Sequence, residues 1–356
     1  MTNDFFRAPV LRLMVIAASA VAILAGMHAI ASILNPIFVA VLFAVLFSIP
    51  MSWLKSRGLS DGMALGLTLL GVLLVAVLFL FFMGKMILGL NANLPVYQQQ
   101  LQTQLQALGD MLAQAGLNVD QLKTVAESDT ANPLGVIRYI ISGVSAILAS
   151  AVLILVYAVF LLIEASGFGG KLSEAFNPSE PAYIYIRKVT SSLNSFLVVQ
   201  TLVGLITGVG VTVMLWLLGV QFAVLWGFVA FLMNFIPYIG SILAAVPPVI
   251  VAFIQFGPGP TVLWVILAFL LVNFVVNYGL YPRLMGQGVD LSMFVVLAGM
   301  VFWGWVLGPI GLILSVPLTA VIKISLESYA GSRWLAVMLG SGPQPQPQAE
   351  QPKRAG

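Results

Sequence analysis

Few side chains in this sequence could do chemistry, and those inside its apolar segments are mainly amides and hydroxyls. They are Asn194, Gln200, Asn234, Ser241, Asn273, Asn277 and Ser315. Asn273 and Asn277 stand four residues apart, so they share one face of a helix. An unpaired polar group in apolar surroundings is costly. We therefore expect each amide or hydroxyl alone to bond to a neighbouring helix, whereas the set, gathered in the C-terminal half, also fits a polar cavity.

The segments that must position these side chains have the composition of a membrane protein. The 356 residues are 60% hydrophobic and 8% charged, with a mean hydropathy of +1.06, whereas soluble domains average about 25% charged. We predict an all-α, polytopic membrane protein with about eight transmembrane helices and the lipid bilayer as its partner. The net charge of +3 carries no signature of nucleic-acid binding, so we expect no nucleic-acid partner.

Groups for covalent or metal chemistry are scarce. The chain has no cysteine and one histidine, which excludes disulfides, thiol catalysis and a metal cluster built from His or Cys. No GxSxG, HExxH or phosphate-loop motif occurs in the sequence. We therefore expect no enzymatic activity, no catalytic residue, no metal and no cofactor.

Carboxylates are absent from residues 193–282, and Asp290 follows at the inner border near Arg283. Coupling of transport to protons or sodium usually needs an intramembrane carboxylate. We interpret Glu164 as a solvated cap at a span end and His28 as a packing residue rather than a proton carrier. This pattern favours a neutral, polar substrate.

Hydropathy and charge divide the chain into five segments. They are N-terminal transmembrane helices at 1–86, an extracytoplasmic amphipathic helical segment at 87–136, a fourth span with a cytoplasmic interfacial helix at 137–192, a C-terminal transport core at 193–335 and a disordered Pro/Gln tail at 336–356. In the first segment we predict spans at 13–34, 37–54 and 62–84, with a tight turn at Asn35–Pro36. Lys and Arg at the span ends place both termini in the cytoplasm.

In the 87–136 segment, leucines recur at helical spacing along one face, and the opposite face is rich in glutamine. Two interpretations stay open for it. The segment is either an oligomerisation or gating element, or a helix packed over its own membrane domain.

Residues 164–192 combine basic side chains with apolar residues at helical spacing, among them Tyr183, Ile186 and Val189. We predict an amphipathic helix lying at the inner membrane interface and leading into the next span, 193–218.

Two apolar stretches are interrupted by glycine and proline, and they resemble each other. Residues 231–247 read FLMNFIPYIGSILAAVP, and residues 302–317 read FWGWVLGPIGLILSVP. An uninterrupted span precedes each stretch, at 193–218 and at 262–282. Charge places the stretches as hairpins that enter from opposite faces, a plan found in secondary transporters. We therefore predict two broken or re-entrant hairpins that form an inverted repeat.

The predicted substrate site lies between the tips of these hairpins. Irregular backbone at membrane depth is tolerated only where protein buries it or where it lines a wet cavity. The candidate substrate-binding residues are Asn234, Pro237, Tyr238, Gly240 and Ser241 at the first tip, Gly308, Pro309, Gly311 and Ser315 at the second, and the flanking Asn273 and Asn277. Exposed carbonyls and half-helix ends at 237–240 are expected to do most of the polar recognition.

At PYIGSILAAVPP and FWGWVLGPIGLILSVPLTAVIK the chain closely resembles the autoinducer-2 exporter (AI-2E) family of bacterial transporters. The resemblance extends to SFLVVQTLVGLITG and YPRLMGQGVDLSMFVVL. It implies an inner-membrane protein that exports or takes up a small polar molecule, the quorum-sensing signal autoinducer-2 in the best-known case. Other members are implicated in sodium or lithium exchange for protons. The family commonly has a Glu-Pro pair where this chain has Tyr281-Pro282, a departure that favours the neutral solute.

The sequence therefore predicts an inner-membrane transporter, in the exporting direction, of a small polar solute such as autoinducer-2. One alternative is a sodium (or lithium)/proton antiporter. Another is a non-transporting membrane scaffold whose 87–136 helix binds a partner. A homo-oligomer is compatible with each of these functions.

Overall fold

The computed structural model of the protein describes residues 9–114, 133–177, 179–285, 290–328 and 331–342. Its helices are α1 (Pro9–Ala29), α2 (Ala31–Ser56), α3 (Asp61–Gln114), α4 (Pro133–Ala175), α5 (Pro181–Leu217), α6 (Ala223–Met233), α7 (Gly240–Phe256), α8 (Pro260–Phe274) with a π-helical turn (Val275–Leu280), α9 (Tyr281–Met285), α10 (Met293–Leu307), α11 (Pro309–Ser328) and α12 (Arg333–Leu339). Within the described ranges there is no strand, so the all-α prediction is confirmed.

The number of long, apolar helices identifies the chain as a polytopic membrane protein. Among the described residues, six helices are long and apolar enough to cross a bilayer, namely α2, α3, α4, α5, α8 with its π-helical turn, and α11. Three apolar helices are shorter, namely α6, α7 and α10. At about 1.5 Å per residue, α6 and α10 are too short to cross the roughly 30 Å of a bilayer's hydrocarbon core.

The first two helices meet at Ile30 rather than at Asn35–Pro36. Helix α2 begins at Ala31 and carries Pro36 inside it, so the predicted tight turn is wrong. A proline removes one backbone hydrogen bond, and membrane helices tolerate this because neighbouring helices satisfy the freed group. Asn35 consequently lies within a membrane helix and not in a loop.

Helix α3 is continuous over 54 residues, about 80 Å at the α-helical rise. Its second half covers the start of the 87–136 segment, and there Leu90, Leu94, Tyr97 and Leu101 are buried in the largest apolar cluster. That cluster includes residues of α4, α6 and α7. In this part the helix packs over its own membrane domain; residues 115–132 lie outside the described residues.

Helix α5 also runs without a break, from Pro181 to Leu217. The predicted interfacial helix and the span after it are thus one element, because nothing in the sequence around residue 193 interrupts the helical hydrogen bonds. Pro181 opens the helix at its first position, where a missing N–H costs nothing.

Small residues bring α5 and α6 into close contact. A Cβ added to Gly227 would lie 1.8 Å from the Thr212 hydroxyl oxygen, and one added to Gly208 would lie 2.8 Å from the Gly227 carbonyl oxygen. Such close approach of backbones is how membrane helices gain packing energy. Helix α5 thereby becomes the support against which the first hairpin rests.

The C-terminal region departs from the predicted tail boundary. Helix α12 continues to Leu339, past residue 336, where the disordered tail was expected to start. Its sequence RWLAVML is apolar enough to pack, and Ala336 is buried. The Pro/Gln-rich part from residue 343 lies outside the described residues.

Candidate functional site

The first hairpin, α6–α7, reverses over residues 234–239. Tyr238 takes a left-handed backbone conformation with φ +62°, which is unfavourable for a bulky side chain. Gly240 starts α7 so close to α6 that a Cβ there would lie 1.8 Å from the Met233 carbonyl oxygen. The tip is therefore a tight reversal in which residue 240 has no room for a side chain.

The second hairpin, α10–α11, reverses at Gly308, whose φ is +68°. A Cβ on Gly311 would lie 1.8 Å from the Trp303 carbonyl oxygen, the same contact that Gly240 makes at the first tip. Gly240 and Gly311 are the glycines that coincide in the two sequence copies. This shared geometry supports the internal repeat.

At each tip, a side-chain amide from a different helix caps the end of the first arm. Gln200 on α5 donates from Nε2 to the Asn234 carbonyl oxygen at 2.5 Å. Asn35 on α2 donates from Nδ2 to the Leu307 carbonyl oxygen at 3.0 Å. The last carbonyls of a helix have no partner in their own helix, so at membrane depth they need such donors.

Neither capping amide is among the predicted site residues. Asn35 falls in the expected turn, and Gln200 was a polar residue of the next span without an assigned role. The signal that identifies both is an amide inside an apolar helix, the same signal that selected Asn234.

Apolar side chains occupy the region where the two tips converge. Phe235 at the first tip and Leu314 on α11 belong to one buried cluster with Leu42, Phe196 and Leu197. Phe38, Phe231, Ile310 and Ile313 pack against that cluster. The structure thus brings both tips to a shared apolar cluster, with the polar atoms at its border.

The predicted tip residues differ in their access to this region. Pro237, Ser241 and Gly308 are half-buried, Tyr238 and Pro309 are exposed, and Gly240 and Gly311 are buried. Ser315 is 1% exposed, and its hydroxyl donates to the Leu312 carbonyl oxygen of its own helix at 2.9 Å. Ser315 is thereby committed to its helix and not free for a solute.

Asn273 and Asn277 lie on an outward face of α8 and its π-helical turn. Asn273 donates from Nδ2 to the Phe269 carbonyl oxygen in the same helix at 2.8 Å, and Asn277 is exposed. Both line an open surface groove formed by residues of α8 and the turn alone, while the neighbouring Val276 is the buried residue. The structure does not place this pair between the two tips.

A network of charged groups, unassigned by the sequence, joins α5, α11 and the residue Asp290 that precedes α10. Lys323 is 6% exposed; its ammonium lies 2.9 Å from Asp290 Oδ2 and 3.9 Å from Glu327 Oε1. Glu327 in turn pairs with Lys188 of α5 at 2.7 Å. A lysine inside an otherwise apolar helix indicates from the sequence alone that an acidic partner lies close to it.

Asp290 fastens the C-terminal segment to this network. The Ser341 N–H donates to Asp290 Oδ1 at 3.0 Å, and the Ser341 hydroxyl bonds to the same oxygen. These hydrogen bonds, led by that of the Ser341 hydroxyl and aided by Lys323, lower the pKa of Asp290 to about 2. The carboxylate therefore stays ionised at neutral pH and holds Ser341, just after α12, beside the start of α10.

These features define the class of protein. A polytopic helical membrane protein with two similar broken hairpins, whose tips converge on one buried cluster, has the plan of a secondary transporter. The sequence profile of the AI-2E family transporters matches residues 17–331. The chain belongs to this family, and the resemblance stated from its motifs is confirmed.

Individual relatives are similar over nearly their whole length. The AI-2 transport protein TqsA of Escherichia coli (strain K12) is 34% identical over 331 residues, which cover 92% of this chain and 95% of TqsA. "Putative transport protein YhhT" of the same strain is 34% identical over 328 residues, 91% of this chain and 93% of YhhT. A "Putative transport protein" of Haemophilus influenzae is 30% identical over 333 residues, 91% of this chain and 94% of the relative.

Proposed function

We propose that this protein exports a small, neutral, polar solute of the autoinducer-2 type across the bacterial inner membrane, without covalent chemistry. The observation that carries this proposal is the 34% identity to TqsA over 92% of this chain, because TqsA is named as an AI-2 transport protein. The two hairpins of the present structure supply the machinery for such transport.

The chemistry of the tips supports a neutral solute. The polar groups there are amides, a hydroxyl, a phenol and backbone carbonyls, and residues 193–282 hold no carboxylate. Asn234, Tyr238 and Ser241 at the first tip, with Gly308 and Pro309 at the second, are the residues we propose to meet the solute. Groups that donate and accept hydrogen bonds without net charge suit a hydroxylated molecule.

We propose that both termini are cytoplasmic. Lys55 and Arg57 lie at the end of α2, Arg283 lies in the short α9, and Arg333 begins α12. Short loops rich in Lys and Arg face the cytoplasm. This orientation puts the loop between α7 and α8 on the outer side.

A homo-oligomer is the quaternary state we propose. Asn277 and Tyr278 are exposed on an otherwise apolar helix surface, and an amide facing lipid is unfavourable. A second copy would bury this surface and give Asn277 a hydrogen-bond partner. Loss of oligomers on Asn277→Leu in native gel electrophoresis would support this state, and an unchanged band would contradict it.

The antiporter alternative has weaker support. A proton carrier must exchange its proton near neutral pH, and Asp290 has a pKa of about 2. The scaffold alternative is also weakened, because the leucine face of α3 is occupied by its own membrane domain.

Efflux of autoinducer-2 from proteoliposomes is the direct test of the proposed function. We expect purified protein to release loaded autoinducer-2 faster than protein-free liposomes do. Tip variants should slow release, while Asn93→Leu should not, since Asn93 donates only to Gly89 in its own helix at 2.7 Å. Equal release with and without protein would contradict the proposed function.

A further inference from the structure

We infer that Asn35 and Gln200 are matched latches that hold the two hairpin tips closed, and that Asn35 Oδ1 and Asn234 Nδ2 bind a hydroxylated solute when the tips part. The second half of this inference rests on the proposed function; the first half does not. Nothing in the family match or the named relatives assigns a role to these atoms.

The two latches have the same construction. Each is a side-chain amide that donates to a carbonyl at the end of the first arm, from Gln200 to Asn234 and from Asn35 to Leu307. Each carbonyl lies at the start of a chain reversal that contains a residue with positive φ, Tyr238 at the first tip and Gly308 at the second. Two copies of one arrangement, made with residues distant in sequence, indicate a common mechanical role.

The latches connect the tips to helices outside the hairpins. Gln200 belongs to α5, and Asn35 belongs to α2. If a tip moves away from its supporting helix, the hydrogen bond between them must break. If the hairpin and its supporting helix move together, the hydrogen bond remains. Each latch belongs to one tip, so we expect its loss to release that tip alone.

Two polar atoms at the latches lack partners. Among the described residues, Asn35 Oδ1 and Asn234 Nδ2 are the buried side-chain atoms without a hydrogen bond. Buried polar groups are nearly always paired, so such exceptions call for a physical explanation. Rotating the Asn35 amide would not help, because its oxygen would then face the Leu307 carbonyl oxygen.

Each unpaired atom is complementary to a hydroxyl group. Asn35 Oδ1 needs a donor and Asn234 Nδ2 needs an acceptor, and a hydroxyl group is both. Phe38, one turn after Asn35, and Phe235, next to Asn234, belong to or pack against the same apolar cluster. A hydroxyl that enters where a tip moves away from its supporting helix would satisfy the unpaired atom there, Asn35 Oδ1 on α2 or Asn234 Nδ2 beside Gly204 of α5.

Thiol labelling tests the latches without knowledge of the solute, because the native chain has no cysteine. Ser241→Cys reports on the first tip, and Ile310→Cys reports on the second. We expect Gln200→Met to speed labelling at Ser241→Cys alone and Asn35→Leu to speed labelling at Ile310→Cys alone. The expected increase is about fivefold, as for loss of one hydrogen bond of ordinary net strength.

Conservative variants and a matched control separate a latch from general damage. Asn35→Leu and Gln200→Met keep roughly the size of the native side chains and remove only the donor, so an effect confined to one reporter reflects the lost hydrogen bond. Asn93→Leu removes an amide bonded within α3 and should change neither reporter. Unchanged rates in the latch variants, or equal increases at both reporters, would overturn the latch assignment.

Asn234→Leu tests the solute contact separately. The Gln200 bond goes to the Asn234 backbone, so this variant keeps the latch while removing the unpaired donor. We expect unchanged labelling at Ser241→Cys and an increase of about fivefold or more in the half-saturating autoinducer-2 concentration. Unchanged saturation would overturn the solute contact, whereas failure of the native protein to move autoinducer-2 would refute the proposed function and leave the latches standing.

Discussion

Individual residues at the hairpin tips carry the geometry on which the candidate site depends. Gly240 and Gly311 each face a carbonyl oxygen at a distance that excludes any side chain. Asn35 and Gln200 each donate one hydrogen bond to the end of a hairpin arm from a helix outside that hairpin. These constraints are local, and each can be removed by a single substitution.

Alanine at either tip glycine should damage the hairpin. The new Cβ would lie 1.8 Å from a backbone oxygen, so the helices must separate, at a cost of about 1–3 kcal/mol in stability. We expect a lower unfolding temperature and slower autoinducer-2 efflux for Gly240→Ala and for Gly311→Ala. Gly71→Ala is the matched control, since nothing lies within 4 Å of its added Cβ; equal behaviour of all three variants would contradict the close contact.

Asp290 should stabilise the protein at neutral pH and lose this effect in acid. Its folded pKa of about 2 lies below the ordinary value of about 3.9, so its contribution is complete above pH 3.9 or so and vanishes as the pH falls to about 2. We expect Asp290→Asn to lower stability by an amount on the order of 1 kcal/mol at pH 7, because solvent screens the partly exposed carboxylate. Thermal unfolding of both proteins at several pH values would measure this difference; one that persisted at pH 2 would contradict the ionic role.

The elements divide into the two hairpins and the helices that support them. Helices α2 and α5 provide the latch residues and much of the shared apolar cluster, while the hairpins contribute the tips. Helix α3 contacts the start of the first hairpin, with Tyr97 donating to the Gln221 side chain at 2.5 Å. Through these contacts the second half of α3 steadies the connection from which α6 begins.

Packing of this half of α3 can be tested with two neighbouring leucines. Leu90 is 0% exposed and Leu88 is 70% exposed. Truncation of a buried leucine costs about 2–5 kcal/mol, so Leu90→Ala should lower the unfolding temperature in detergent well below that of Leu88→Ala. Equal temperatures for the two variants would mean that the segment does not rest on the membrane domain.

At the scale of the whole molecule, two similar hairpins share one apolar cluster between supporting helices. The repeat gives each tip its own latch. The charged network around Asp290 and Lys323 holds the C-terminal segment to the second hairpin. We expect this arrangement to serve alternating exposure of a site, in which one repeat moves relative to the other.

The proposed orientation makes a prediction for the intact cell. Ser60→Cys lies in the loop between α2 and α3, and Gly259→Cys lies in the loop before α8; both positions are exposed. We expect a membrane-impermeant thiol reagent to label Gly259→Cys from outside and Ser60→Cys only after lysis. The reverse pattern would invert the proposed topology.

The sequence by itself determined the membrane class, the family and the positions at which both hairpins reverse. These properties are local, because apolar length sets a span and glycine and proline set its breaks. The predicted turn at Asn35–Pro36 is wrong because a local breaking signal competes with the high cost of unpaired backbone in lipid.

Only the tertiary structure decided which polar groups meet. A helix that is apolar on every side carries no pattern to show how it is rotated. The sequence could therefore select Asn273 and Asn277 but not reveal that they face outward. It could not show that Lys323 reaches Asp290, or that Asn35 and Gln200 reach the two tips, because these pairings depend on how separate helices pack.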